Sequence, residues 1–394
     1  MENIQSFTDE NGAIHYAADV VSKDSEGFIF STKNPGIFVR VFDDDIEFNE
    51  TIEILRAHVI ESVSPFLGLI LPLAFLKEKS KGFLFSVPKE ARPLWAFLPV
   101  DEDPVKALEQ YRSEGGLKRR LAILADVARA LIRLNSTGIM YGPISPSRIF
   151  VSLETQILVS CKTDFAARFI PDNSDDLYKA PETANGRGAG VLADVFSFAK
   201  LTRALLTHNG LIKNLGASFL ELDALLIKAE GSPEKRPKIS SVLKSILRMQ
   251  DVLVTCKKCA NVLDAADAPK NCPICESPSP KYYFARISDE INGKEFERGQ
   301  KAIEFANARQ SFYSYHTEAV VLLDSQTEAK IDVSLRLTPD KKLSFIFKNL
   351  MEKEIDVNGK ALKPGATTAL LASQDAIIIS FLLGKKIKRK IVLK

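Results

Sequence analysis

The sequence predicts an α+β protein in three successive parts: a mixed domain over residues 1–250, a small cysteine-built module over 251–280 and a β-rich domain over 281–394. Three observations predict it. Short strand-like runs near the N-terminus give way to two long stretches of helical apolar spacing before residue 210. A pair of C-x-x-C motifs lies between residues 256 and 275. Beyond Ser277-Pro278-Ser279-Pro280, a turn-rich linker, only short β-rich runs follow. At 394 residues the chain has room for two or three domains.

Residues 15–42 read as short strands around Gly27, ending in Gly36-Ile37-Phe38-Val39-Arg40-Val41-Phe42. Over 117–135, Leu117, Leu121, Leu124, Ala128 and Leu131 recur at helical spacing, and Gly138 terminates the helix. Residues 191–207 are apolar all round, as a helix buried on every side requires. In the β-rich part, Ala319–Leu323, Leu343–Phe347 and Ala376–Leu382 are the strand candidates.

Five segments carry chemical information in the first part. The stretch from Gly138 to Val151 reads Gly-Ile-Met-Tyr-Gly-Pro-Ile-Ser-Pro-Ser-Arg-Ile-Phe-Val. After the strand-like run Gln156–Val159 comes Asp164-Phe165-Ala166. Then follow Tyr178-Lys179-Ala180-Pro181-Glu182-Thr183, Asp194-Val195-Phe196-Ser197-Phe198-Ala199 and Pro233-Glu234-Lys235-Arg236-Pro237. In this order they resemble the catalytic loop, the D-F-G, the A-P-E, the central-helix and the P-x-x-R-P motifs of protein kinases. The resemblance covers roughly residues 15–250 and implies a two-lobed protein-kinase-like fold.

It also implies a dismantled active site. Pro143 stands where the catalytic Asp belongs, Ser145 where a Lys or Asn belongs, and Arg148 where the metal-binding Asn belongs. Proline has no carboxylate to accept a proton, and an arginine repels Mg²⁺. The segment matching the phosphate loop, Ser22-Lys23-Asp24-Ser25-Glu26-Gly27-Phe28, keeps one glycine and adds two carboxylates. Arg40 replaces the compact ATP-binding Lys, a swap that is not conservative. Phe38 replaces the small residue above the adenine, and Glu50 or Glu53 is the acid expected to pair with Arg40. Asp164 is the one intact metal-binding position, either an Mg²⁺ ligand or a turn-capping Asp held by the packing of Phe165. Only Gly27, Arg40 and Asp164 remain to contact a nucleotide, so ATP and Mg²⁺ are not expected as cofactors. Glu182, Asp194 and Arg236 are scaffold residues, and the Glu182–Arg236 pair is expected to be buried.

Four of the five cysteines fall in one cluster, and Cys161 stands apart. That argues for a metal site over a disulfide framework. Cys256, Cys259, Cys272 and Cys275, with twelve residues between the pairs, resemble a zinc ribbon. Four thiolates close a tetrahedral site and leave no position for water, so the expected cofactor is a structural zinc. A redox pair and an iron–sulfur site are the alternatives. Lys257, Lys258 and Lys270 either meet nucleic acid or balance thiolate charge.

Ile355 to Gly365, followed by Leu370–Ser380, is similar to the late strands of forkhead-associated β-sandwiches, with Asn358-Gly359 as the hairpin turn. The glycine-arginine and Ser-x-x-His signatures of phosphothreonine readers are not evident; Ala308-Arg309-Gln310-Ser311 is a poor substitute. The basic run Lys385–Lys390 reads as an anion-binding patch or as the solvated face of a final edge strand.

The net charge of +3 gives no global pull toward nucleic acid, and no run approaches the ~20 apolar residues of a membrane helix. The N-terminus lacks a signal-like region, which points to the cytoplasm. Tyr141-Gly142-x-Ile144-x-Pro146, with Ala91-Arg92-Pro93-Leu94, looks most like one bacterial kinase group. That group is encoded beside a metal-dependent phosphatase and a von Willebrand A-type protein, in tellurite-resistance-associated systems. The resemblance implies those two proteins as partners in bacterial signalling or stress defence. The expectation is therefore a pseudokinase scaffold. The alternatives are an atypical ATP-dependent kinase or nucleotidyl transferase using Asp164 and Arg40, and a nucleic-acid-linked adaptor.

Overall fold

The computed structural model describes residues 5–24, 27–42, 69–70, 73–77, 82–87, 90–98, 103–136, 141–142, 144–146, 149–151, 157–160, 177–185, 190–207, 215–267, 269–305, 309–321, 326–372 and 376–394. Pro143, Arg148 and Asp164, and also Glu50 and Glu53, lie outside the described residues. The chain divides into two compact units. One holds residues 1–215 and 219–247; the other holds 216–218 and 248–394.

The first unit opens with β1 (Ser6–Thr8), β2 (Ile14–Asp24), β3 (Gly27–Thr32), β4 (Ile37–Phe42), β5 (Leu69–Ile70), β6 (Ala74–Phe75), β7 (Gly82–Ser86) and β8 (Arg92–Pro93). Six of these form an antiparallel sheet in the order β1-β2-β3-β4-β7-β6. Gly82 sits at φ +150°, where a Cβ would lie 1.9 Å from the Arg40 carbonyl oxygen, so only glycine lets β7 pair with β4 at that point.

Helices α1 (Pro104–Ser113) and α2 (Gly116–Ser136) follow. Asp103 caps α1 by accepting the Val105 amide at 2.9 Å. All five residues of the predicted α2 stripe are buried, and α2 extends one residue beyond the predicted span at each end. Strands β9 (Ile149–Val151) and β10 (Ile157–Ser160) join β5 and β8 in a second sheet, in the order β5-β10-β9-β8. Helix α3 (Val191–Thr207) has the predicted bounds and is buried along most of its length. Helices α4 (Phe219–Ala229) and α5 (Ile239–Asp251) complete the helical part.

In the second unit a short hairpin, β11 (Leu253–Thr255) with β12 (Val262–Asp264), carries the first C-x-x-C. The strands that follow are β13 (Tyr282–Ile291), β14 (Lys294–Glu304) and β15 (Gln310–Tyr313), then the single helical turn α6 (Ser314–Thr317). After it come β16 (Ala329–Leu337), β17 (Leu343–Asn349), β18 (Ile355–Val357), β19 (Lys360–Leu362), β20 (Thr367–Leu371), β21 (Ile377–Leu383) and β22 (Ile387–Leu393). They make two antiparallel sheets, β14-β13-β22-β21-β18-β19 and β15-β16-β17-β20. Inward residues of both, including Ile287, Ile379 and Ile391 from one and Phe312, Val333 and Phe347 from the other, form one core. Asn358 and Gly359 have φ of +51° and +78°, the turn conformation expected between β18 and β19.

Two expectations need correction. Residues 319–321 are not strand; the chain there leaves α6 in a bend. The basic run is not at an edge either, because β22 lies between β13 and β21. Its side chains alternate, so Arg389 points inward and is buried, while Lys390 pairs with Glu290 at 2.5 Å across the strands. Asp289 and Glu290 of β13 thus offset Arg389 and Lys390, while Lys385, Lys386 and Lys388 are exposed.

Candidate functional site

The four predicted cysteines come together. Their sulfurs all lie within 4.8 Å of one another, with Cys256 and Cys275 at 3.6 Å and Cys259 and Cys272 also at 3.6 Å. A disulfide needs about 2.05 Å. Four sulfurs each about 2.3 Å from a tetrahedral zinc sit about 3.8 Å apart, so the observed spacing fits the ion.

Two matched turns create this geometry. In the first, the Ala260 amide donates to the Cys256 carbonyl and the Cys256 amide to the Asn261 carbonyl; in the second, Glu276 donates to Cys272 and Cys272 to Ser277. Ala260 and Glu276 both sit at φ +57°, turning the chain back so that each pair of thiols faces the same point. The segment read as a linker belongs to this module: Ser279 donates to the Lys270 carbonyl, and Pro278 bridges to Asn271. Cys256, Cys272, Val254 and Leu263 pack with Ala302 of β14, which gives the small module an apolar floor.

The thiols cannot all ionise unaided. The Ser277 hydroxyl, followed by nearby amides, brings Cys256 down to about 6. The Asn261 amide also favours the Cys259 thiolate, but burial and the neighbouring cysteines outweigh it and push that thiol up to about 12. A divalent cation is what makes four adjacent thiolates compatible. Lys257 and Lys258 are exposed, and the Lys257 ammonium lies 5.2 Å from the Phe305 ring centre.

In the first unit the scaffold residues meet, but the ion pair expected to be buried is buried only on its Arg236 side. Arg236 grips Glu182 with both terminal nitrogens, Nη1 to Oε1 and Nη2 to Oε2 at 2.9 Å. It also donates to the carbonyls of Leu192 and Gly231 and lies 5.2 Å from the Phe196 ring centre. Its side chain is 1% exposed against 24% for Glu182. Asp194, fully buried, accepts the Tyr141 and Gly142 amides, each at 2.9 Å, and the Asn135 side-chain amide at 2.8 Å. Gly142 is at φ +89°, so the loop can turn both amides onto one carboxyl. Burial pushes Asp194 up to about 7 against those three donors.

The positions expected to serve a nucleotide look different. Gly27 opens β3, paired with Phe42. Arg40 is buried in β4 with its guanidinium 5.1 Å from the Phe42 ring centre. Ser145 is fully buried beside Ile144 in the loop that Asp194 anchors. Phe38 stacks on Phe85 at 5.6 Å. It belongs to a cluster with Phe42, Phe75, Phe83 and Phe150, so aromatic side chains of the β1–β7 sheet and of β9 share one apolar core.

Sequence reading missed a buried polar cluster in the second unit. Asp251, at the end of α5, accepts from Lys301 and from the Tyr315 hydroxyl at Oδ1, and from His316 Nε2 at Oδ2, each at 2.8 Å. His316 Nδ1 accepts the Tyr313 amide at 2.9 Å, which leaves the ring proton on Nε2. Burial alone would raise Asp251, but His316 and Lys301 bring it down to about 2; burial lowers His316. Every polar atom of the Asp–His pair is engaged and buried, an arrangement suited to holding α5 and α6 together. Its partners are 50 to 65 residues apart, beyond the reach of any local spacing pattern.

No family model matches the chain. Over 160 residues it is 31% identical to Ribosomal protein S6 kinase alpha-2 of Homo sapiens, a match that covers 38% of this chain and 21% of that protein. The likeness is to a protein kinase. It is distant and partial, since the chain spans about a fifth of the length of this relative. Among the described residues no helix is long and apolar enough to cross a membrane.

Proposed function

We propose that the chain is a catalytically degenerate protein kinase homologue with a structural zinc ribbon and a forkhead-associated-like sandwich. It acts as a binding or regulatory scaffold in a bacterial phospho-signalling or stress-defence system. The observation that carries this reading is the phenylalanine cluster. Phe38 and Phe85 of the sheet pack with Phe150 of β9, where the kinase resemblance calls for an adenine cleft. The scaffold contacts of Glu182, Asp194 and Arg236 are kept in the same unit, and Pro143 and Arg148 stand at positions that in a working kinase take the proton and hold the metal.

The sandwich is read as a protein-contact module that does not capture phosphate. Asp332 takes the Ser311 hydroxyl at 2.7 Å and lies 3.3 Å from the Arg309 guanidinium, so a carboxylate already sits where an anion would be held. A metal-dependent phosphatase and a von Willebrand A-type protein are the proposed partners, in the cytoplasm.

The test is a thermal-shift titration with ATP and Mg²⁺ or Mn²⁺. Ligand stabilisation grows as RT ln(1 + [L]/Kd), so millimolar nucleotide bound at tens of micromolar would add about 2 kcal/mol. No such shift is expected. A clear one, with labelled-phosphate transfer abolished by Asp164→Ala, would replace the scaffold with an atypical enzyme.

A further inference from the structure

The two cysteine turns are near copies of each other up to the fifth residue after the first cysteine. There Asn261 stands in one and Ser277 in the other, and each lends its backbone carbonyl to the first cysteine of its own turn. The side chains then diverge. The Asn261 side-chain amide, unlike its backbone N–H, donates to the Val262 carbonyl at 3.3 Å. The Ser277 hydroxyl lies 3.0 Å from Cys275 Sγ and 3.4 Å from Cys256 Sγ, touching one sulfur of each turn.

We infer that Ser277 is a positioning residue of the metal centre: its hydroxyl donates a hydrogen bond to the thiolate pair Cys275 and Cys256, joins the two turns and fixes both sulfurs toward the ion. The inference rests on the zinc reading above. Its physical basis is that a hydroxyl carries one proton and is free to rotate, so it serves whichever of the two sulfurs holds more charge. Donation to a thiolate withdraws electron density from the metal–sulfur bond and restrains the sulfur's direction, as outer hydrogen bonds do for metal ligands generally. The backbone bond from Cys272 to the Ser277 carbonyl does not depend on the side chain, so removing the hydroxyl leaves the turn itself in place.

The experiment compares full-length wild type, Ser277→Ala and Ser277→Thr in zinc competition against a chromophoric chelator, and again as the Co²⁺-loaded proteins. Ser277→Ala is expected to bind zinc about 10- to 100-fold more weakly, the usual cost of losing such a contact. Ser277→Thr, which keeps the hydroxyl, should restore most of that loss. In the cobalt proteins the tetrahedral ligand-field bands should stay the same in all three. The sulfur-to-cobalt charge-transfer band should move to longer wavelength in Ser277→Ala alone, because its thiolates are more electron-rich. Equal zinc affinity and an unmoved band in Ser277→Ala would overturn the role of Ser277 while leaving the metal centre intact. A wild-type chain that takes up neither ion would overturn the metal centre and, with it, this inference.

Discussion

Asp194 of the first unit and Asp251 of the second are both buried carboxyls at helix ends, yet their environments drive them in opposite directions. The described partners of Asp194 are neutral amides, and burial pushes it up to about 7. Against the same burial, Asp251 faces Lys301 and His316 and is held near 2. The charge of the partner decides ionisation once water is excluded. One holds the amides of Tyr141 and Gly142 on a single carboxyl, and the other gathers Lys301, Tyr315 and His316.

The sharpest way to break this comparison is to disable the four-cysteine cluster of the second unit, where a zinc is proposed. Cys256→Ser, or a strong chelator, should unfold the cysteine module while the transition of the first unit survives in calorimetry. Isolated zinc modules draw ~10–16 kcal/mol from the metal at neutral pH, so this is the largest effect expected. Loss of a single common transition would mean that the two units are not independent.

Removing an acid from its cationic partner comes next. Asp251→Ala leaves Lys301 and the His316 N–H without their acceptor in the interior and should cost about 3–5 kcal/mol. Glu182→Ala should cost about 3 kcal/mol, at the low end, because Arg236 keeps the carbonyls of Leu192 and Gly231. Denaturant unfolding followed in each unit would rank the two, and the reverse order would mean that the Arg236 environment is the more demanding one.

The smallest and most diagnostic effect is pH dependence. Asp194 has a raised folded pKa, so its contribution is full below the unfolded value of about 4 and is lost as pH rises toward 7. Asp251 has a depressed one, so its contribution is present above about 4 and is lost as pH falls toward 2. His316, lowered by burial, adds stability above about 6.5 that declines below it. Between pH 4 and 6.5 the first unit should therefore lose stability from Asp194 as pH rises, while the second gains from His316. Asp194→Asn should flatten the first slope. Parallel slopes in the two units would show that burial, and not partner charge, governs both sites.

The sequence by itself determined what depends on short spacing. A C-x-x-C places two thiols on one turn, Asn358-Gly359 supplies the two positive φ angles of a hairpin, and Leu117 to Leu131 recur with the period of a helix. The clustering of the four cysteines and the Glu182–Arg236 pair were legible in the same way, the latter through motif order. Tertiary structure alone decided that the latter part of the basic run, from Ile387 on, enters a central strand, that Asp194 anchors the Tyr141 loop, and that Asp251 meets His316 and Lys301. It also decided that the hydroxyl of Ser277 reaches a sulfur 21 residues away. The physical reason is range. Backbone periodicity and turn geometry act over a few residues, whereas the partner of a buried charge is whichever group the packed chain brings to it.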